Sequence, residues 1–125
     1  CWGDTELVDL VLVVEDEMLQ LFAVQDALEE AGFDVFTAST GPDAYNAIFG
    51  DMAFTALVTD IDLQGGITGW DVALRARERF SSIPVVYLSG GGHSELHLTR
   101  GVQGSTYLDK PCDLSRLMPL IASTV

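Results

Sequence analysis

The chain has 125 residues, 48% of them apolar, which is enough for one domain with its own hydrophobic core. Asp and Glu outnumber Lys and Arg by 19 to 6, and the net charge of −13 excludes a basic face that would bind nucleic acid or an anionic membrane. Its 2 cysteines do not form a disulfide framework, so we expect a reduced, cytoplasmic setting. No apolar run reaches the length of a membrane span, and the first residues do not resemble a secretory signal peptide.

Because the chain begins at Cys1 and not at Met, we expect it to be a fragment of a longer protein. We predict a single domain over residues 1–125, with its core at about 9–123 and an N-terminal tail at 1–8. The net charge is also compatible with a cation site and with a basic partner.

Strand and helix patterns alternate along the whole chain. Gly32 is a natural residue to follow the first helix, Pro42 suits the first turn of the second, and Asp113 can cap the last. Five β-α repeats predict a doubly wound parallel sheet of the flavodoxin-like (βα)5 class, with strand order 2-1-3-4-5. The predicted strands are 10–14, 33–38, 54–60, 83–88 and 106–109, and the predicted helices are 17–31, 40–50, 70–80, 94–100 and 114–122.

Polar residues close four of the predicted strands. Glu15 and Asp16 follow the first, Asp60 ends the third, Ser89 follows the fourth, and Lys110, the only lysine, follows the fifth. The carboxyl ends of parallel strands form the ligand site of an open α/β sheet, so we expect these side chains to converge on one pocket. Clustered carboxylates attract a hard divalent cation such as Mg²⁺, and a lysine and a hydroxyl beside them suit a phosphoryl group.

These five residues, in this order on a β-α repeat, resemble the receiver domain of two-component response regulators over about residues 9–123. The resemblance implies a regulatory phosphoacceptor domain of a two-component or phosphorelay system. Such a domain assists its own phosphorylation and dephosphorylation but is not an enzyme with a separate substrate.

The resemblance also implies a Mg²⁺-dependent phosphoacceptor. Asp60 would take a phosphoryl group from a histidine of a partner kinase or of a histidine phosphotransfer protein. Asp16 would bind the metal directly, and Glu15 would do so directly or through water. Asp60 itself and the backbone carbonyl of Asp62 would complete the protein's ligands.

Phosphorylation would be read out at a surface made by helix four, strand five and helix five. Ser89 would donate a hydrogen bond to one phosphoryl oxygen, and Lys110 would pair with another. Tyr107 resembles the family's switch aromatic, which turns inward when Ser89 moves. The same surface would serve for a homodimer.

Helix one carries more apolar residues than one buried stripe requires. If Ala23, Ala27 and Ala31 face the sheet, with Val24 and Leu28 beside them, then Met18, Leu21 and Phe22 point to solvent, beside the phosphoacceptor pocket. A slightly different rotation of the helix would bury Phe22 instead. In receiver domains this edge docks the histidine-bearing partner, and the predicted docking residues are Met18, Leu21, Phe22 and Cys112.

Two other functions fit part of the pattern. Asp60 and Asp62 after a strand, with Ser89 and Lys110, also resemble a haloacid-dehalogenase-type phosphatase. That family places its nucleophile after the first strand and its acidic pair late in the chain, which is the reverse of the order here. The other alternative is an interaction module that works without phosphorylation.

His93 and His97 lie four residues apart and could share a metal if their segment is helical. Two histidines without a third ligand are more often exposed residues of a helix. The sequence alone therefore favours the exposed arrangement for both.

Overall fold

The computed structural model describes residues 9–111 and 113–121. Within them, five parallel strands form one sheet in the order β2-β1-β3-β4-β5, which confirms the predicted flavodoxin-like fold. A 3₁₀ turn, Leu114–Arg116, precedes the last helix. The strands are β1 Leu10–Val14, β2 Asp34–Ala38, β3 Ala56–Asp60, β4 Val85–Ser89 and β5 Thr106–Asp109, and the helices are α1 Met18–Glu30, α2 Gly41–Ile48, α3 Gly69–Arg79, α4 Ser94–Arg100 and α5 Leu117–Ile121.

The three central strands are apolar on both faces because helices cover both sides of the sheet. Every residue of β3 and of β4 is buried. The register pairs Val14 with Thr59, Asp60 with Leu88, and Ser89 with Asp109. Neighbouring strands therefore end at the same level, and the residues that follow them lie along one edge.

Successive residues of each strand face opposite cores. Val11 and Val13 of β1 pack in the core that α1 and α5 cover. Leu12 and Val14 pack in the other, which α2 and α3 cover. The described part of the chain thus has three layers, with the sheet in the middle.

The rotation of α1 differs from the prediction. Leu21, Val24 and Leu28 are its buried residues, whereas Ala23 is exposed. The expectation that Leu21 points to solvent is therefore wrong, since Leu21 is 3% exposed in the core. A stripe of branched aliphatic side chains removes more apolar surface from water than a stripe of alanines, which explains the rotation.

Local capping sets where the helices begin. Thr68 and Asp71 form a reciprocal capping box at α3, and Thr40 accepts a hydrogen bond from the backbone of Asp43 at α2. The predicted cap at Asp113 is present, although it starts the 3₁₀ turn and not α5. No helix in the described ranges has the length and apolar character needed to cross a lipid bilayer.

Candidate functional site

Three carboxylates meet at the carboxyl edge of the sheet. Glu15, Asp16 and Asp60 each place an oxygen within 4.8 Å of the others. Glu15 and Asp16 follow β1 and Asp60 ends β3, so the register of the two strands brings them together. We call this group the acidic pocket. A cavity of about 400 Å³ opens over it and is also lined by Gln64 and Lys110.

Lys110 is the cation of the acidic pocket. Its Nζ lies 2.7 Å from Glu15 Oε1 and 3.4 Å from Asp60 Oδ2. Burial lowers the pKa of Lys110, but the hydrogen bond to Glu15 and the charge of Asp60 outweigh it and raise that pKa overall. The ammonium group therefore stays charged, and Glu15, which the sequence did not single out as its partner, is its nearest carboxylate.

Glu15 is the most perturbed acid of the pocket. Burial raises its pKa, the hydrogen bond from Lys110 opposes the rise, and the nearby charge of Asp60 adds to it, so the pKa is about 7. The other carboxylate oxygen accepts a hydrogen bond from the backbone N–H of Glu17 at 3.1 Å. With a side chain only 3% exposed, Glu15 is costly to keep ionised beside Asp60, and Lys110 offsets that cost only in part.

The loop after β3 folds back over the pocket. The backbone N–H of Gln64 donates to Asp16 Oδ2 at 3.2 Å, and that of Asp62 donates to Asp60 Oδ1 at 3.3 Å. Gly69 starts α3 so close to β3 that a Cβ there would collide with the carbonyl oxygen of Asp60. The position of Asp60 is therefore fixed by its strand, by its own loop and by α3.

Ser89 ends β4 and is completely buried. Its Oγ accepts a hydrogen bond from the backbone N–H of Gly91 at 3.1 Å, and its carbonyl oxygen accepts one from Lys110 N at 2.6 Å. Because the hydroxyl oxygen acts as an acceptor, its proton can still be donated to an oxyanion. Ser89 is thus tied both to Lys110 and to the loop that follows β4.

His93 contacts Asp62 from the loop after β4, and sequence reasoning missed this contact. Its Nε2 lies 3.1 and 3.0 Å from the two carboxylate oxygens of Asp62. Its backbone N–H donates to the hydroxyl of Tyr107 at 3.2 Å. Asp62 and His93 both follow strand ends at the same edge, which is the signal that could have paired them.

His97 is not an exposed helix residue. Its ring stacks on Trp70 with centroids 6.4 Å apart, contacts Tyr107 at 5.8 Å, and bonds Ser105 Oγ through Nε2 at 2.9 Å. His93 and His97 thus have different partners. Both side chains are partly buried, so the exposed arrangement favoured by the sequence is wrong for both.

The predicted docking residues divide into three groups. Met18 and Phe22 are each 50% exposed, as expected, whereas Leu21 is buried. Cys112 lies outside the described residues. A largely apolar groove of about 440 Å³ runs between α1 and the segment after β5, and its lining includes Ala23 and Pro111.

Comparison with known proteins gives a consistent result. Residues 11–122 match the response regulator receiver domain. "Probable transcriptional regulator ycf29" of Pyropia yezoensis is 26% identical over 118 residues, which cover 92% of this chain and 52% of the relative. A "Probable transcriptional regulatory protein" of Picosynechococcus sp. is 30% identical over 115 residues, or 86% of this chain and 45% of the relative. The chain thus spans about half the length of these relatives.

Two solved structures show the same architecture. A response regulator receiver protein from Sinorhizobium medicae superposes with a TM-score of 0.87 at 32% identity, covering 91% of both chains. The receiver domain of a sensor histidine kinase from Pseudomonas aeruginosa, with a magnesium ion coordinated in its active-site cleft, superposes with a TM-score of 0.78 at 22% identity. That superposition covers 94% of this chain and 100% of the other. On its match to the receiver domain over nearly its whole length, the chain belongs to the response regulator receiver family, a family of regulatory signalling domains.

Proposed function

We propose that Asp60 accepts a phosphoryl group from a partner histidine in a Mg²⁺-dependent reaction, and that phosphorylation switches an interaction surface. The observation that carries the proposal is the acidic pocket with Lys110 at its side. The partner would be a histidine kinase or a histidine phosphotransfer protein in the cytoplasm. The receiver domain would extend over residues 1–125, and neither nucleic acid nor a membrane would bind to it.

The donor set of the acidic pocket fits Mg²⁺. Carboxylate oxygens from Glu15, Asp16 and Asp60 converge there, and hard oxygen ligands are those that Mg²⁺ prefers. Asp16, Asp60, the backbone carbonyl of Asp62 and, directly or through water, Glu15 would hold the ion. When bound, the ion would offset the repulsion between these carboxylates and an arriving phosphate. The Pseudomonas aeruginosa domain, which coordinates magnesium in its cleft, supports this assignment.

The transfer needs positioning more than covalent chemistry from the protein. A carboxylate oxygen of Asp60 attacks the phosphorus of the donor phosphohistidine. A new P–O bond forms, the P–N bond breaks, and the imidazole leaves and takes up a proton. Lys110, already 3.4 Å from Asp60, would pair with a phosphoryl oxygen, and Ser89 would donate its hydroxyl proton to another.

Phosphorylation would reach the surface through the loop after β4. When Ser89 turns to a phosphoryl oxygen, its hydrogen bond from Gly91 is lost and the loop can shift. The same loop holds the hydroxyl of Tyr107 through the backbone of His93, so Tyr107 would move with it. The surface of α4, β5 and α5 would then change for an output partner or for a second copy of the chain.

The partner's helices would dock beside the acidic pocket. Met18 and Phe22 present apolar surface at the start of α1, and the apolar groove that Ala23 and Pro111 line lies along the same helix. A helical partner that binds transiently uses exposed apolar residues of this kind. We propose that Cys112 also contributes to the contact with this partner.

Intact-mass measurement after incubation with acetyl phosphate and Mg²⁺ tests the proposed function. The wild-type protein should gain one phosphoryl group, and Asp60→Asn should gain none. Asp62→Asn is the matched control, because Asp62 is an exposed carboxylate two residues along the same loop, and it should still be labelled. Equal labelling of wild type and Asp60→Asn would remove Asp60 as the acceptor.

A further inference from the structure

The loop after β4 has almost no side chains of its own. Residues 90–92 are glycines, and Gly91 and Gly92 have φ angles of 124° and 87°, a region that side chains rarely adopt. His93, which follows them, is the first side chain able to anchor the loop. Because Gly90 lines the cavity over the acidic pocket, the position of the loop decides how open that cavity is.

Asp62 is what holds the His93 ring. A carboxylate only accepts hydrogen bonds, so Nε2 carries the proton that it donates to Asp62. The other ring nitrogen, Nδ1, is buried and has no partner among residues 9–111 and 113–121. Burying a polar atom without a partner is unfavourable. The ring therefore stays in place because of its contact with Asp62.

The contact joins the two sides of the cavity mouth. Asp62 lines the cavity from the loop after β3, and Gly90 lines it from the loop after β4. Asp62 is itself connected to the acceptor, since its backbone N–H donates to Asp60 Oδ1. In the part of the chain that the structure describes, the contact between His93 and Asp62 thus ties the acceptor's own loop to the glycine loop opposite it.

We propose that His93 is a positioning residue that holds Asp62 and the glycine loop together across the mouth of the pocket and so slows hydrolysis of the phosphorylated Asp60. The proposal rests on the proposed function. In hydrolysis a water oxygen attacks phosphorus, the acyl P–O bond breaks, and inorganic phosphate leaves while Asp60 regains its carboxylate and a proton passes to solvent. His93 acts by limiting the approach of that water.

The test is the rate at which phosphorylated protein loses its phosphoryl group. Each variant is labelled with acetyl phosphate and Mg²⁺, freed of donor by desalting, and followed by intact mass. His93→Ala should speed the loss about two- to fivefold, the size expected for losing one partly exposed side-chain contact. His93→Gln keeps a donor on a side chain of similar length and should recover part of the slow rate. Ser94→Ala, at the exposed next position, should match wild type.

A double-mutant cycle with Asp62→Ala separates this role from a general structural one. If His93 acts through Asp62, adding His93→Ala to Asp62→Ala should leave the rate of loss unchanged. The same acceleration in both backgrounds, or none in wild type, would overturn the proposal. Melting temperatures of all variants check that they fold. If His93→Ala does not fold, His93→Gln replaces it in the double-mutant cycle. Absence of labelling in wild type would instead refute the proposed function, and the role of His93 with it.

Discussion

Two regions of the molecule are built in different ways. One is the pocket side, formed by β3, α3 and the acidic pocket, and the other is the side formed by α4 and β5. At the pocket, all of β3 is buried between two paired neighbours, and α3 behind it buries five residues. On the other side, α4 has seven residues and none is buried, and β5 is an edge strand. What attaches α4 there is a set of side-chain contacts from His93, His97 and Tyr107.

The difference matches what each region would have to do. Side chains that position a phosphoryl group must keep a precise geometry, and strands with paired backbones in a packed core fix that geometry best. A surface that changes state must have few buried contacts, since such segments open at low free energy. The two regions meet at Ser89, which ends a buried strand and accepts a hydrogen bond from the loop after β4, and at His93, which bonds Asp62 beside the pocket.

Replacing one glycine in each region should give the largest contrast. Gly69→Ala would place a Cβ against the Asp60 carbonyl and 2.8 Å from Ile61 Cα, where backbone must move. We expect a loss of roughly 1–3 kcal/mol of unfolding free energy, as for other overpacked sites. Gly90→Ala has no atom within 4 Å of the added Cβ and should change stability by less than about 0.5 kcal/mol.

Denaturant unfolding of both glycine variants at equal protein concentration measures this contrast. A Gly69→Ala protein as stable as wild type would show that α3 can move away from β3. The pocket side would then be no more rigid than the other.

Metal binding should stabilise the pocket side strongly. Without metal, Lys110 is the cation among residues 9–111 and 113–121 that offsets the carboxylates of the acidic pocket. At a free Mg²⁺ concentration a hundredfold above its Kd, binding to the folded state alone raises the free energy of unfolding by about 2.7 kcal/mol. Asp16→Asn should lose this response, and without metal it should be at least as stable as wild type because one repelling charge is gone.

Thermal melts with EDTA and across a Mg²⁺ titration measure the response. Asp26→Asn, an exposed acid on α1, is the matched control and should respond as wild type does. If Asp16→Asn keeps the full response, Asp16 is not among the ligands.

Because the pKa of Glu15 is raised, the contribution of this group to the stability of the metal-free protein falls as pH rises. The folded state binds this proton more tightly than the unfolded state, where the pKa is near 4.5. The stabilisation is therefore complete below pH 4.5 and is lost as pH rises through about 7. Glu15→Gln cannot titrate, so its stability relative to wild type should increase by roughly 1–3 kcal/mol across this window.

Urea unfolding in EDTA at about pH 5 and about pH 8 compares the two proteins at either end of that window. Lys110 stays charged at both values, because its pKa is raised from 10.5, and so it does not contribute to the difference. Parallel pH profiles for wild type and Glu15→Gln would mean that Glu15 is not the group that titrates.

Much of the fold could be predicted because its signals are local. Apolar runs of strand length, Gly32 after α1 and Pro42 at the start of α2 place the elements to within a few residues. The β-α alternation then limits the topology, and the topology brings the strand-end residues to one edge. That is why the sequence alone is enough to group the five strand-end residues Glu15, Asp16, Asp60, Ser89 and Lys110.

What could not be predicted depends on packing between elements. The rotation of α1 is set by how well Leu21, Val24 and Leu28 fill the core, and the spacing of apolar residues allowed more than one solution. The contact between His93 and Asp62 joins residues 31 positions apart across two loops, whose path the sequence does not define. Which carboxylate lies nearest Lys110 likewise follows from side-chain geometry.

The smallest effect is expected for a substitution of His97. It tests whether side-chain contacts alone attach α4 to the rest of the domain. His97→Ala removes the stacking on Trp70 and the hydrogen bond to Ser105, but α4 buries no residue of its own. We expect the global unfolding free energy to fall by no more than about 1 kcal/mol. Amide exchange should accelerate in α4 and at Ser105, while β1 and β3 keep wild-type protection, because segments with few buried contacts open separately. Leu98→Ala serves as the control on the same helix, since Leu98 is 84% exposed. Faster exchange spread evenly over the sheet would mean instead that His97 belongs to the global core and that the two regions unfold as one.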